Sequence, residues 1–390
     1  MIIDWQTKRL GEVCSDFIVP QRDKPKAFDG DIPWCRIEDI EGKYLNGSLS
    51  GQKVTQELAD SMNMHICPKG TVICACSASI GNQAITTVDC YTNQTFIGIV
   101  PDSSLLYNEF LYFFLKSKKE ELIRMGTGST IKYISRKKFE SLKIRIPSVE
   151  EQHRIVDELD LLTGIIDKKN AQLRDLDALA QSIFFEMFGD PSLNEKGWPV
   201  KIISDLFDVG SSKRVFESEW RVSGVPFYRA REIVRLSKGE PLDDPIFIEE
   251  TLFAEYKQRY GVPKTGDIMV TGVGTLGICY LVKESDRFYF KDGNTLWFKS
   301  KGLCNTRFIK DMYSTDYIKE QIKANAHGAT VGTYTIVNAK NTRVIVPPIE
   351  LQNDYVEKVL KIDAQKELIN ESLKQTQQLL DSRMDYYFNE

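Results

Sequence analysis

The chain says the same thing twice. Ile146 to Gln152 reads IPSVEEQ, and Val346 to Gln352 reads VPPIELQ, 200 residues further on. The register then holds without a gap to the last residue, so Phe188 matches Phe388 and Asp190 matches Glu390. A period this long is a duplicated domain; solenoid units repeat every ~20–50 residues. Such a chain must fold into two similar bodies, and it suits a ligand with two related sites on one object.

Each repeat opens a long helix. Stepping four, three, four, three from Ile155 gives Leu159, Leu162, Ile166, Lys169, Leu173 and Leu176. The second copy runs from Tyr355 through Val359, Ile362, Lys366, Ile369, Leu373 and Thr376 to Leu380. An apolar stripe spaced every 3.5 residues is a coiled-coil seam, and one lysine within each seam weakens packing but helps to fix register. Pro147, Pro347 and Pro348 stand where a helix tolerates a missing N–H, and Gly189-Asp190-Pro191 stops the first helix. A lone striped helix is not stable in water, so the simplest partner for each seam is the other one. Pseudo-symmetry favours antiparallel pairing with one globular domain at each end. The expected fold is therefore α+β: two similar α/β domains separated by two long helices in an antiparallel coiled coil, with a pseudo-two-fold internal repeat. The expected segments are 1–146, 147–190, 191–346 and 347–390.

Charge separates the same segments. Residues 1–146 carry 19 basic and 17 acidic side chains, and 191–346 carry 23 and 19. The helical segments carry 4 and 10, then 5 and 9. The globular parts are thus mildly positive although the whole chain stands at −4, and local patches govern contact with phosphate. The N-terminus shows no secretion leader and no apolar run approaches a membrane span, so a cytoplasmic location is expected. Six of the eight cysteines lie in the first half without a CxxC pair, which reads as reduced, buried small residues.

The globular segments share a skeleton. Strand-like runs at Thr71–Ala75, Phe96–Val100 and Leu142–Ile146 have counterparts at Ile268–Thr271, Leu296–Lys299 and Thr342–Val346. A helix is expected over Tyr107–Met125, matched by Thr306–Ala324. Trp5 recurs as Trp198, Gly81 as Gly277, and Gly128-Ser129-Thr130 as Gly328-Ala329-Thr330. Elsewhere the copies differ widely, as expected of two readers of two different half-sites.

Few motifs carry chemistry. Gly272 to Gly277 spells GxGxxG but leads into a strand-like run, where a dinucleotide site needs a helix; a tight hairpin-like loop is the simpler reading. Asp31 with Glu41 and Lys43 loosely matches a metal-dependent nuclease order. Neither His65, His153 nor His327 stands in a catalytic or metal-binding pattern, so no catalytic residue, metal or cofactor is expected. Candidate ligand contacts lie in the copy-specific loops: Ser77, Ser79, Asn82 and Gln83 in the first copy, Thr271 and Thr275 in the second. Arg36 and Arg229 recur beside an acid, and a guanidinium fork fits phosphate or guanine equally. Arg231 stands where the first copy has Glu38, which suits half-site discrimination. Ser129, Thr130, Lys132, Tyr133 and Arg136 form a basic, Gly-rich turn suited to phosphate, with Thr330 and Tyr334 in the second copy.

Together these residues resemble the DNA-specificity subunit of Type I restriction–modification systems. The resemblance rests on the IPSVEEQHRIVDELD and VPPIELQNDYVEKVLKID helix starts, the Gly-Ser/Ala-Thr turns before them, the IPWCR and VPFYR strands and the FFEMFGD ending, and it covers essentially the whole chain. It implies two target-recognition domains reading one bipartite, asymmetric double-stranded DNA sequence. It also implies helices that space the domains and dock two methyltransferase subunits, restriction subunits that join through the assembled complex, and a subunit without chemistry of its own. Domains held roughly 30–50 Å apart would read half-sites about 10–15 base pairs apart at 3.4 Å per step. A protein-binding scaffold that never touches DNA, and a metal-dependent nuclease, are the alternatives.

Overall fold

The computed structural model describes residues 5–128, 132–325 and 332–389. The chain divides into two compact units: the first holds the residues up to Gln172 together with those from Ile369 onward, and the second spans Leu173–Leu368. Each unit therefore contains one globular part and a portion of each long helix.

In the first unit a five-stranded sheet runs in the order Cys14–Ile18, Phe96–Pro101, Val72–Ala75, Gln83–Thr86, Tyr44–Leu45. Only Tyr44–Leu45 runs parallel to its neighbour. The central strand VICA is buried along its whole length, so it reads as an unbroken apolar run. Its side chains divide by alternation. Val72 and Cys74 face the core that contains Phe110, Leu111, Phe113 and Phe114 of the helix Asn108–Ser117; Ile73 and Ala75 join Ile18, Cys35, Ala84 and Phe96. A three-stranded sheet, Lys53–Val54, Ile32–Cys35 and Tyr91–Thr92, and an antiparallel ribbon of Gln6–Arg9 with Lys143–Ile146 complete the unit.

The second unit repeats this plan. Its main sheet runs Phe207–Gly210, Thr295–Ser300, Ile268–Thr271, Cys279–Leu281, all antiparallel. Its small sheet is Ile246–Ile248, Val225–Tyr228 and Tyr289–Phe290, and its ribbon pairs Val200–Ile202 with Arg343–Ile345. There is no fifth strand among the described residues. The chain instead forms the helix Ala230–Lys238, which packs Ile233 and Leu236 on Met269, Tyr280, Val282 and Trp297.

The long helices are Val149–Phe188 and Ile349–Phe388, 40 residues each. Within each unit their portions pack antiparallel. In the first, Glu158 bonds Arg383 and Tyr387, while Lys169 donates to the Ser372 hydroxyl and the Thr376 hydroxyl, both at 2.7 Å. In the second, Asp177 pairs with Lys366 and the Phe184 ring meets Tyr355 edge-on at 5.6 Å. The two seam lysines thus find polar partners that specify register. Ile155, Leu159, Leu162, Val359, Ile362 and Leu380 are buried; Ile166, Leu173, Leu176, Ile369 and Leu373 are half-buried. Leucines off the stripe, Leu161, Leu179, Leu360, Leu368 and Leu379, are exposed.

The recurring glutamine explains the helix starts. Gln152 is fully buried, accepts from the Tyr107 N–H at 2.7 Å, and donates to the Leu105 and Pro147 carbonyls at 2.9 and 3.0 Å. Gln352 accepts from the Asn305 N–H at 2.9 Å and donates to Pro347 O at 2.7 Å. Each welds a long helix to the start of another helix, Asn108–Ser117 in the first unit and Thr306–Met312 in the second.

One expectation needs correction. The single helices expected over Tyr107–Met125 and Thr306–Ala324 are each broken, into Asn108–Ser117 and Lys119–Met125, and into Thr306–Met312 and Asp316–Asn325. Ser117 and Thr315 turn their hydroxyls back onto the Phe114 and Met312 carbonyls, a local bond that competes with the helix ladder. All eight cysteines are free thiols and seven are buried. Among the described residues no helix is long and apolar enough to cross a membrane.

Candidate nucleic-acid interface

The copy-specific loop of the second unit is a hairpin tip between Ile268–Thr271 and Cys279–Leu281. Each glycine of the GxGxxG run has its own reason. A side chain at Gly272 would press on the Tyr334 carbonyl at 3.0 Å, Gly274 has φ +70, and at Gly277 a Cβ would collide with Ile322. Thr271 is fully buried and braces the tip, donating to the Thr275 carbonyl and accepting from the Ile278 N–H at 3.0 Å. Thr275 stands exposed at the turn.

Beside this tip lies a cleft of about 560 Å³ whose rim carries Arg229, Arg231, Arg235, Gly274, Thr275 and Asn294. Its anchor is Glu232, only 2% exposed. Arg229 grips that carboxylate through Nε and Nη2 at 3.1 and 2.7 Å and through its own backbone N–H at 2.8 Å; Arg231 adds Nε at 3.0 Å. Burial pushes the Glu232 carboxyl up, but the Arg229 and Arg231 bonds outweigh it and hold the group below the usual carboxylate range. Arg235 is tied to Asp243 and the Pro241 carbonyl. Arg229 and Lys291 lie over the Trp220 ring at 6.0 and 5.7 Å.

The first unit builds a different cleft at the equivalent loop. About 620 Å³ is lined by Ser79, Ile80, Asn82, Lys119 and Lys132. Ala78 adopts φ +54 in this tip, a conformation that L side chains visit only in tight turns. Gly81 has φ +85 and admits Lys119, whose ammonium approaches Asn82 Oδ1 at 3.4 Å. Tyr133 exchanges two backbone hydrogen bonds with Thr127 and bridges to Ser77, which sets Lys132 beside the loop; Tyr133 itself is 41% exposed.

Ser77, Ser79, Asn82, Lys132 and Tyr133 are thus gathered in the first unit, and Arg229, Arg231 and Thr275 in the second. Other expected contacts sit elsewhere. Tyr334 is a core residue, 2% exposed, its hydroxyl shared with Tyr313 and Thr342 at 3.1 and 2.6 Å. It follows Thr333 into the helix Ile336–Asn341 as Ile134 follows Tyr133, so it replaces a buried isoleucine rather than the exposed tyrosine. Thr271 and Gln83 are buried. Arg136 is held by Glu140 and the Phe17 carbonyl at 2.7 and 2.9 Å. Arg36 does not line the first cleft; its guanidinium lies 3.8 Å from Glu38, and its Nε has no hydrogen-bond partner among the described residues. Ser129, Thr130 and Thr330 lie outside the described residues. Lys119, Arg235 and Asn294 were not anticipated. The signal for Arg235 was available, since RAREIVRLSK spaces Arg231 and Arg235 one turn apart opposite Ile233.

Among the described residues no group of three or more His, Cys, Asp or Glu side chains could hold a metal ion. Lys43, the last member of the nuclease-like order, is bound instead to Glu109 and Asp160.

The family model for the Type I restriction modification DNA specificity domain matches this chain twice, over residues 2–175 and 195–378. The chain belongs to that family. The Type I restriction enzyme MjaIX specificity subunit of Methanocaldococcus jannaschii is 26% identical over 372 residues, covering 88% of this chain and 83% of the relative. A putative type I restriction enzyme specificity subunit of Haemophilus influenzae is 26% identical over 80% of this chain and 79% of its own length. The fold is that of the Type I S subunit from M. genitalium: TM-score 0.59, 16% identity, covering 100% of this chain and 97% of that one. A chain from a structural study of complex assembly and conformational transition in the type I R-M system gives TM-score 0.58 at 18% identity, covering 98% and 97%. The two globular parts are accordingly the two target-recognition domains of a specificity subunit.

Proposed function

We propose that this chain is the DNA-reading component of a Type I restriction–modification complex and performs no chemistry itself. Each globular part reads one portion of a bipartite, asymmetric duplex target. The long helices set the spacing and dock two methyltransferase subunits; the exposed Leu161, Leu179, Leu360, Leu368 and Leu379 on both helices supply apolar surface for that contact. Restriction subunits join through the assembled complex, in the cytoplasm.

One observation carries the reading. Beside equivalent hairpin tips of a duplicated fold, different elements build two clefts whose cations and hydrogen-bonding side chains do not match: Lys119, Lys132 and Asn82 in one, Arg229, Arg231 and Asn294 in the other. A shared scaffold with unlike rims is what two different half-sites require, because phosphate contacts position a reader while base-edge contacts specify.

Selection of bound duplexes from a random pool, by the chain assembled with its methyltransferase partner, tests this. Two short fixed blocks around a constant gap are expected. One contiguous block, or no motif, would refute it.

A further inference from the structure

The helix Ala230–Lys238 gives the second recognition domain a device that the first lacks. An arginine side chain has many rotamers, and fixing it before a ligand arrives lowers the entropic cost of binding. Arg229 and Arg231 are fixed in this way by one buried carboxylate, Glu232. They do not share it equally. Arg229 commits Nε and Nη2 to it and is 24% exposed, whereas Arg231 commits only Nε at 3.0 Å and is 56% exposed. Arg231 makes one further bond, a long one, from Nη2 to the Asp243 carbonyl at 3.3 Å.

We propose that Arg231, oriented by Glu232, reads a guanine in the half of the target taken by the second domain, with Arg229 as a positioning residue beside it. The proposal rests on the DNA-reading function above. A guanidinium held in plane by its Nε presents parallel N–H groups that match guanine O6 and N7. A phosphate accepts the same fork but carries no sequence information, and Arg231 is the arginine that the first copy lacks, which assigns it to a base edge. The first copy has Glu38 at this place, an acid 66% exposed, which cannot donate to guanine at all.

The test uses the chain assembled with its methyltransferase partner, its selected duplex, and duplexes carrying each single base-pair change. Arg231→Lys keeps the charge and loses the fork. It is expected to weaken binding to the selected duplex about 10-fold, and to reduce discrimination at one G·C pair in one block only. Glu232→Gln, with thermal melting as the folding control, is expected to weaken discrimination at that same pair. Arg231→Ala should abolish discrimination at that pair. If Arg231→Ala keeps that discrimination, or lowers affinity equally for every sequence, Arg231 is at most a phosphate contact and the proposal falls. A wild-type complex without any two-block preference would sink the underlying reading instead.

Discussion

Residues 36–45 and 229–239 begin alike and end differently. Each follows a strand of the small sheet, each opens with an arginine, and each has an acid three residues on whose carboxylate accepts from the arginine's own N–H. In the first copy the acid is Asp39. Its carboxylate is occupied by the backbone of Arg36 and Leu49 at 2.6 and 2.7 Å, and a short 3₁₀ turn passes through Gly42 into the strand Tyr44–Leu45. In the second copy the acid is Glu232. One methylene longer, it reaches back to the Arg229 guanidinium, and the chain continues as a helix until Gly239 at φ +70. After this shared turn the first copy enters an edge strand, and the second continues as an arginine-bearing helix that packs Ile233 and Leu236 on its sheet. Duplication has kept the path of the chain and released its surface.

The same contrast can be pressed elsewhere. Phe188 and Phe388 end equivalent helices, but Phe188 is fully buried against Phe184, Phe308 and Tyr355, whereas Phe388 is 7% exposed beside Phe110 and Phe114. Phe188→Ala should cost about 3–5 kcal/mol and Phe388→Ala about a kcal/mol less, read by denaturant unfolding. Equal losses would show that the two ends are packed alike.

Gly277 and Gly81 offer a smaller difference. Both have positive φ, but an added Cβ collides with the buried Ile322 in one case and meets the flexible Lys119 at 2.8 Å in the other. Gly277→Ala should cost about 2–4 kcal/mol and Gly81→Ala about 1–2 kcal/mol. If Gly81→Ala proves the worse, the first tip is the more rigid of the two.

The smallest effect concerns acid. Glu232 titrates below its unfolded value, so it contributes stability above the unfolded carboxylate pKa and loses it as pH falls through the folded one. Unfolding followed from pH 6 to 3 should show a shallower acid loss for Glu232→Gln than for the wild type. Identical slopes would mean that the Arg229–Glu232–Arg231 cluster does not persist in solution.

Much of this was legible beforehand because periodicity is a local signal. The 3.5-residue stripe placed the seam, and the 200-residue repeat placed the second fold once the first was read. Gln152 and Gln352 were visible as a motif, but their role needs the buried Leu105–Tyr107 and Asn305 backbone that only the fold brings near. The helix Ala230–Lys238 has no counterpart in the first copy, where the chain enters the strand Tyr44–Leu45, so the repeat could not point to it. Tyr334 misled because a tyrosine near a Gly-rich turn looks like a surface reader, while the structure gives its hydroxyl two buried partners. Cleft residues such as Lys119 and Asn294 come from elements distant in sequence, and no spacing rule connects them to their loops.

The central claim is that each globular part reads its own half of one target. Replacing residues 199–345 with the corresponding segment of a relative of different specificity, then selecting duplexes with the assembled complex, tests it most directly. The account predicts one block changed, the other block intact and the gap preserved. Both blocks changing together, or neither changing, would contradict it.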